Sequence, residues 1–189
     1  MYKAFVAFEA PEALSPVVSA LDEIVARHHG GPVRRAHPLH LTVMAPREVT
    51  AEERAGIDAS VIQFNEQYGA VPARVHALAC FEHARQKKHL VALVRGHKLE
   101  MVIDHFHKEL TSQFSWERRQ YEGRSPHITL LNSRHVPTGH LFERVRQDAL
   151  HLDLPREISI PRLVVHIRQG NPAAPSPPKR EVSEQGWHP

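Results

Sequence analysis

The sequence predicts a mixed helix-and-strand fold built from two pseudo-symmetric halves, residues 1–85 and 86–169, and three observations lead there. The order strand–helix–strand–helix–strand can be read twice from the spacing of apolar residues. The tripeptide His-x-Thr occurs in both halves, as His40-Leu41-Thr42 and His127-Ile128-Thr129, separated by 127 − 40 = 87 positions. Adding 87 to first-half elements lands on or beside the matching elements of the second half. With 16 histidines in 189 residues, one histidine alone means little, and position has to sort them.

Lys3 to Glu9 is strand-like, with Phe5, Val6 and Phe8. Ser15-Pro16 reads as an N-cap followed by a proline at the first helical position. Leu14, Val18, Leu21 and Val25 continue at helical spacing until Gly30-Gly31-Pro32 ends the helix. Leu39 to Ala45 alternates as a strand. Thr50-Ala51-Glu52-Glu53 has the form of a capping box, and the helix it opens carries the stripe Ile57, Val61, Phe64 and Tyr68. Gly69 stops that helix, and Val71 to Phe81 is a further strand.

The second half repeats the order. Lys88 to Arg95 is a strand, and Leu99, Ile103, Phe106, Leu110 and Phe114 form one helical stripe. His127 to Asn132 is a strand, Thr138 to Leu150 a helix, and Ile158 to Ile167 a single closing strand. From Gly170 the chain turns proline-rich, so 170–189 is expected to be a flexible tail, with Trp187 available as an anchor. Residues 1–169 are therefore expected to form one domain.

Composition narrows the function classes. Hydrophobic residues at 41% and charged residues at 24% are ordinary globular values. The single cysteine, Cys80, excludes an internal disulfide framework, and its apolar run marks a buried thiol rather than a nucleophile. The N-terminal residues read directly into a strand with no signal peptide, and no apolar run approaches the ~18 residues of a membrane span. A cytoplasmic, monomeric protein that does not enter membranes is expected. The net charge of +3 favours an anionic ligand without marking a nucleic-acid binder.

In a strand, residues i and i+2 share a face. His40 therefore projects with Thr42, and His127 with Thr129, while Leu41, Val43, Ile128 and Leu130 fill the opposite face. Internal duplication sets the two strands about a pseudo-two-fold axis, so the tripeptides can face one another across a groove. Such a set suits phosphodiester cleavage. One imidazole removes a proton from the attacking oxygen while the other protonates the leaving oxygen. The hydroxyls hold the non-bridging phosphate oxygens, and the scheme requires no metal or other cofactor.

His40-Leu41-Thr42-Val43 and His127-Ile128-Thr129-Leu130 resemble the paired signature of the 2H phosphoesterase superfamily, and most of all its 2′-5′ RNA ligase/RNA 2′,3′-cyclic phosphodiesterase branch. Ser125-Pro126 is similar to the basic-residue–proline lead-in of the second motif, with Arg124 one place earlier than the usual basic position. Met44-Ala45-Pro46-Arg47 departs from the continuation of the best-known members. The resemblance covers Met1 to about Gln169. It implies a bilobal α+β fold with an active groove between two antiparallel sheets. It also implies hydrolysis of a 2′,3′-cyclic phosphate, at RNA ends or in small nucleotides, to a 2′-phosphate, sometimes with 2′-5′ RNA ligation. By the same resemblance His40 is the general acid and His127 the general base, although the site's symmetry leaves the two interchangeable. A binding module without catalysis, or an enzyme for another cyclic phosphodiester, are the rival readings.

Around these four residues, Arg34 and Arg35 before the first motif and Arg118, Arg119 and Arg124 before the second are candidate phosphate contacts. Tyr121 is a candidate base-stacking residue, Phe8 is better read as core, and Lys87-Lys88, in the turn joining the halves, as solvated. Metal ligation is not expected: His105 and His107 are i,i+2 on a helix and share no face, and His135 and His140 lack an acidic or cysteine partner. Neither a His-x-His-x-His run nor a Gly-rich phosphate loop is present in the sequence.

Overall fold

The computed structural model describes residues 2–29, 38–83, 87–114, 125–132 and 139–169. In chain order these form β1 (Tyr2–Glu9), α1 (Ser15–His29), β2 (His40–Val49), α2 (Ala51–Tyr68), β3 (Val71–His83), β4 (Lys87–Arg95), α3 (His97–Phe114), β5 (His127–Asn132), α4 (Gly139–Ala149), β6 (Glu157–Ile160) and β7 (Leu163–Gln169). The fold is α+β. Every strand pairing is antiparallel, and the sheet order is β6-β3-β4-β5-β2-β1-β7.

That order is the duplicated unit seen in space. β2 and β5 lie at the centre, each flanked by the first strand of its own half, β1 and β4. The next strand out is exchanged: β3 of the first half pairs with β4, and β7 of the second half pairs with β1. The halves meet along β2 and β5 at the single pair Leu41–Ile128, which joins them into one seven-stranded sheet.

The expected closing strand, Ile158 to Ile167, is two strands at opposite edges of the sheet: β6 on β3 and β7 on β1. Pro161, which has no N–H to give to a ladder, stands at the break. The start of α1 also differs from expectation. A 3-10 turn, Glu12–Leu14, runs into the helix, so Ser15 is already helical (φ −57°, ψ −42°) and does not cap it. β2 continues past Ala45 to Val49 because a register shift against β1 accommodates Pro46. The capping box at Thr50 forms as read: Glu53 N–H donates to Thr50 Oγ1 at 3.1 Å, and Thr50 N–H donates to Glu53 Oε2 at 2.8 Å. Gly69 ends α2 at φ +56°, which costs a residue without a Cβ little.

The core is contributed by all four helices and by one side of the central strands. Leu21, Val25, Phe64, Phe106, Leu110, Phe142 and Val145 are buried against Phe8, Leu41, Val43, Ile128 and Leu130. Full burial of each such side chain stabilises the fold by about 1.5–3 kcal/mol. Phe8 is therefore core, as expected. Cys80 packs against this core but is only half-buried. Lys88 is not simply solvated: its Nζ donates to Glu143 Oε1 at 2.6 Å, tying β4 to α4.

Candidate active site

The two tripeptides occupy equivalent positions in every local respect. Both strands begin at the histidine, and both show the same burial sequence, half-buried His, buried aliphatic, half-buried Thr, then two buried aliphatics. The two successive buried residues are the mark of a β-bulge. Thr42 lies opposite Ala7 but Met44 lies opposite Val6, which leaves Val43 as the extra residue. Thr129 lies opposite Val91 but Leu131 lies opposite Leu90, which leaves Leu130 extra. These positions differ by 130 − 43 = 87, the repeat spacing. A bulge bends its strand and re-aims side chains, and bulges concentrate beside active sites.

The first bulge has a dedicated support. Val43 C=O accepts a hydrogen bond from Nε2 of His107 at 2.7 Å, and that imidazole is only 4% exposed. His107 comes from α3, in the other half of the chain.

The register brings the four motif residues together. Leu41 and Ile128 are paired and both fully buried, so their side chains share the core face. Strand alternation puts His40 and Thr42 on one side of Leu41, and His127 and Thr129 on one side of Ile128, in both cases on the face opposite the core.

Both imidazoles are held by their own lead-in. His40 Nδ1 donates to Pro38 O at 2.9 Å, and His127 Nδ1 donates to Ser125 O at 3.1 Å. A carbonyl can only accept, so in the neutral ring the proton sits on Nδ1 and the lone pair on Nε2. Each ring thus turns its exchangeable position away from its own backbone.

Around these groups the walls are aromatic. Phe5 lies against His40 with ring centroids 5.1 Å apart, and His166 of β7 stacks on Phe5 at 4.4 Å with the planes 6° apart. His166 is also 5.6 Å from the His40 ring. On the other side Phe81 meets His127 edge-on at 4.9 Å. Phe5 and His40 are four residues apart along the ladder, roughly 13 Å in a flat sheet. Their ring contact means that the sheet curls toward this face.

A polar row crosses the same face. Glu9 lies opposite His40, and Arg162, just before β7, is on its other side. Arg162 Nε donates to Glu9 Oε2 at 3.2 Å, and Glu9 N–H donates to Arg162 O at 3.1 Å.

Of the other residues expected at the site, Arg34, Arg35, Arg118, Arg119, Arg124 and Tyr121 lie outside the described residues, as do His135 and Trp187. His105 and His107 diverge as expected for i,i+2: His105 bonds the Tyr68 hydroxyl, whereas His107 points into the core. Among the described residues no three His, Cys, Asp or Glu side chains gather as a metal site. No helix of the described residues is long and apolar enough to cross a membrane. His166, Phe81, Glu9 and Arg162 were not singled out by the sequence, and His107 only as a rejected metal ligand, because each owes its place to strand register or to a contact across the repeat.

A family model for the 2′-5′ RNA ligase superfamily matches residues 10–172, taking in both tripeptides and every element from α1 to β7. The chain belongs to the 2′-5′ RNA ligase superfamily. It is an enzyme of the 2H phosphoesterase kind. No curated protein matches the chain as an individual relative. Besides the Arg162–Glu9 pair next to His40, further ion pairs among the described residues tie the scaffold together. Hydrogen bonds from Lys88, then from Arg146, hold the Glu143 carboxyl below its usual pKa. His28 Nε2, 2.8 Å from Asp148 Oδ2, does the same for Asp148 and joins α1 to α4.

Proposed function

We propose that this 2H phosphoesterase is a metal-independent phosphodiesterase that opens a 2′,3′-cyclic phosphate, at an RNA end or in a small nucleotide, to a 2′-phosphate. In this reading His127 is the general base and His40 the general acid. His127 Nε2 takes a proton from water as the water oxygen forms a bond to phosphorus. The bond from phosphorus to the 3′ oxygen breaks, and His40 Nε2 gives that oxygen its proton. His127 ends protonated and His40 neutral, and exchange with solvent restores both. Thr42 and Thr129 donate hydrogen bonds to the non-bridging oxygens, where negative charge grows in the transition state. Two histidines near neutral pKa can perform both proton transfers without a cofactor.

What supports this reading is the central pair Leu41–Ile128, which sets the strands of the two tripeptides side by side, together with matching Nδ1 anchors on the two imidazoles. Anchoring through Nδ1 leaves Nε2 as the proton-transferring atom in both rings, which an acid–base pair acting on one phosphate needs. A binding module would have no use for two tautomers fixed alike. With a 5′-hydroxyl in place of water as the attacking oxygen, the same ring opening forms the bond from phosphorus to the 5′ oxygen, breaks the bond to the 3′ oxygen and leaves a 2′-5′ linkage.

The test is incubation with nucleoside 2′,3′-cyclic phosphates and with RNA bearing a 2′,3′-cyclic end, in the presence of a chelator, with the product phosphate located. A 2′-phosphate formed despite the chelator is the expected result. A 3′-phosphate product, or activity that disappears with the chelator, overturns the assignment.

A further inference from the structure

We propose that Arg162 is the anion-holding arm of this site. It takes a phosphate of the substrate outside the one being cleaved, so that the enzyme binds an RNA end more tightly than a lone nucleotide. The inference rests on the phosphodiesterase reading for which phosphate is cleaved, but not for the arm itself.

Three observations support it. Arg162 stands in the cross-strand row that runs through Glu9 to His40, two strands away from the imidazole, which is roughly 10 Å. From that place in the row the guanidinium can meet a phosphate next to the one between the histidines. Secondly, Arg162 is held but not used up. Its bond to Glu9 runs through Nε, its own C=O accepts from Glu9 N–H, and its side chain is still 68% exposed. The terminal amino groups of the guanidinium fork suit bidentate phosphate binding. Thirdly, a cleft of about 540 Å³ opens on this side of His40, its lining including Glu9, Glu12, Val18, Pro38, Leu39 and His166. It has the size and mostly apolar lining of a small-ligand site. The cleft shares Glu9 with the arm and Pro38 with the His40 anchor, so a substrate extending from the cleaved phosphate toward the cleft passes Arg162.

The experiment measures binding across a salt series, with full-length wild type, Arg162→Ala and Arg162→Lys. The ligands are a short RNA ending in a 2′-phosphate and a nucleoside 2′-monophosphate. Each phosphate contact on a single strand adds about 0.7 to the slope of log affinity against log salt. Arg162→Ala is expected to weaken RNA binding about tenfold and to lower the slope by ~0.7, with nucleotide binding unchanged. Arg162→Lys is expected to keep the slope. Equal losses for both ligands, an unchanged slope, or wild type binding RNA no more tightly than the nucleotide would each overturn the arm. Cyclic-phosphate hydrolysis on the same samples separates the two claims. If hydrolysis is present and the slope does not change, only the arm is wrong. If hydrolysis is absent and the slope does change, the arm stands and the phosphodiesterase reading falls.

Discussion

β2 and β5 carry the same tripeptide, the same burial sequence, equivalent bulges and the same lead-in hydrogen bond, yet their walls are different. His40 stands beside Phe5 and His166, whereas His127 meets the edge of Phe81. The shared features are made by backbone. The anchor is the carbonyl two residues before each histidine, Pro38 in one half and Ser125 in the other, so side-chain divergence leaves it intact. The walls are made by side chains that the repeat does not reproduce, Phe5 of β1 and His166 of β7 on one side and Phe81 of β3 on the other. Duplication has therefore preserved the part of the site that orients the two imidazoles, and altered the part that surrounds them.

This comparison can be broken first at the threonines. If the halves act as mirror images on one phosphate, Thr42→Val and Thr129→Val should each lower kcat by about 10²–10³, the loss expected for one transition-state hydrogen bond. A loss confined to one of them in steady-state kinetics would show that only one half holds the developing charge.

A smaller effect is expected at the bulge. His107→Ala removes the donor to Val43 C=O and leaves a buried carbonyl unsatisfied, a cost of about 1–3 kcal/mol. Denaturant unfolding should register that loss, and turnover should fall as well because Val43 adjoins Thr42. Full stability in His107→Ala would mean that the bulge holds its shape without the strut.

The smallest effect lies on the scaffold. Glu143 has its pKa lowered from the ordinary 4.5, mainly by Lys88 and then by Arg146. A depressed carboxylate contributes stability that is present above the unfolded pKa and lost as pH falls through the folded one. Glu143→Gln should therefore be less stable than wild type at pH 7. In melting curves taken across pH, the difference should vanish in acid below 4.5. A difference that persists there would assign it to packing and not to charge.

Much of this molecule was legible in the sequence, for reasons visible in particular residues. The alternation about His40 and His127, the Thr50–Glu53 capping box and the stripe Leu99–Phe106–Leu110 are local patterns, and local patterns survive folding. Pairing is not local. The exchange of β3 and β7, the bulges at Val43 and Leu130, and the row Arg162–Glu9–His40 depend on which strand lies beside which. The split at Pro161 was masked because apolar residues flank it on both sides. Lys88 was misread as solvated because its partner, Glu143, is 55 residues away.

The central claim is that His40 and His127 act as one acid–base pair, and the measurement that tests it most directly is a double-mutant cycle on cyclic-phosphate hydrolysis. His40→Ala and His127→Ala should each lower kcat by about 10²–10⁴ without changing the melting temperature. The double variant should lose little more than either single one, because groups that work as a unit fail as a unit. Independent losses that multiply in the double variant, or activity retained when both imidazoles are gone, would contradict it.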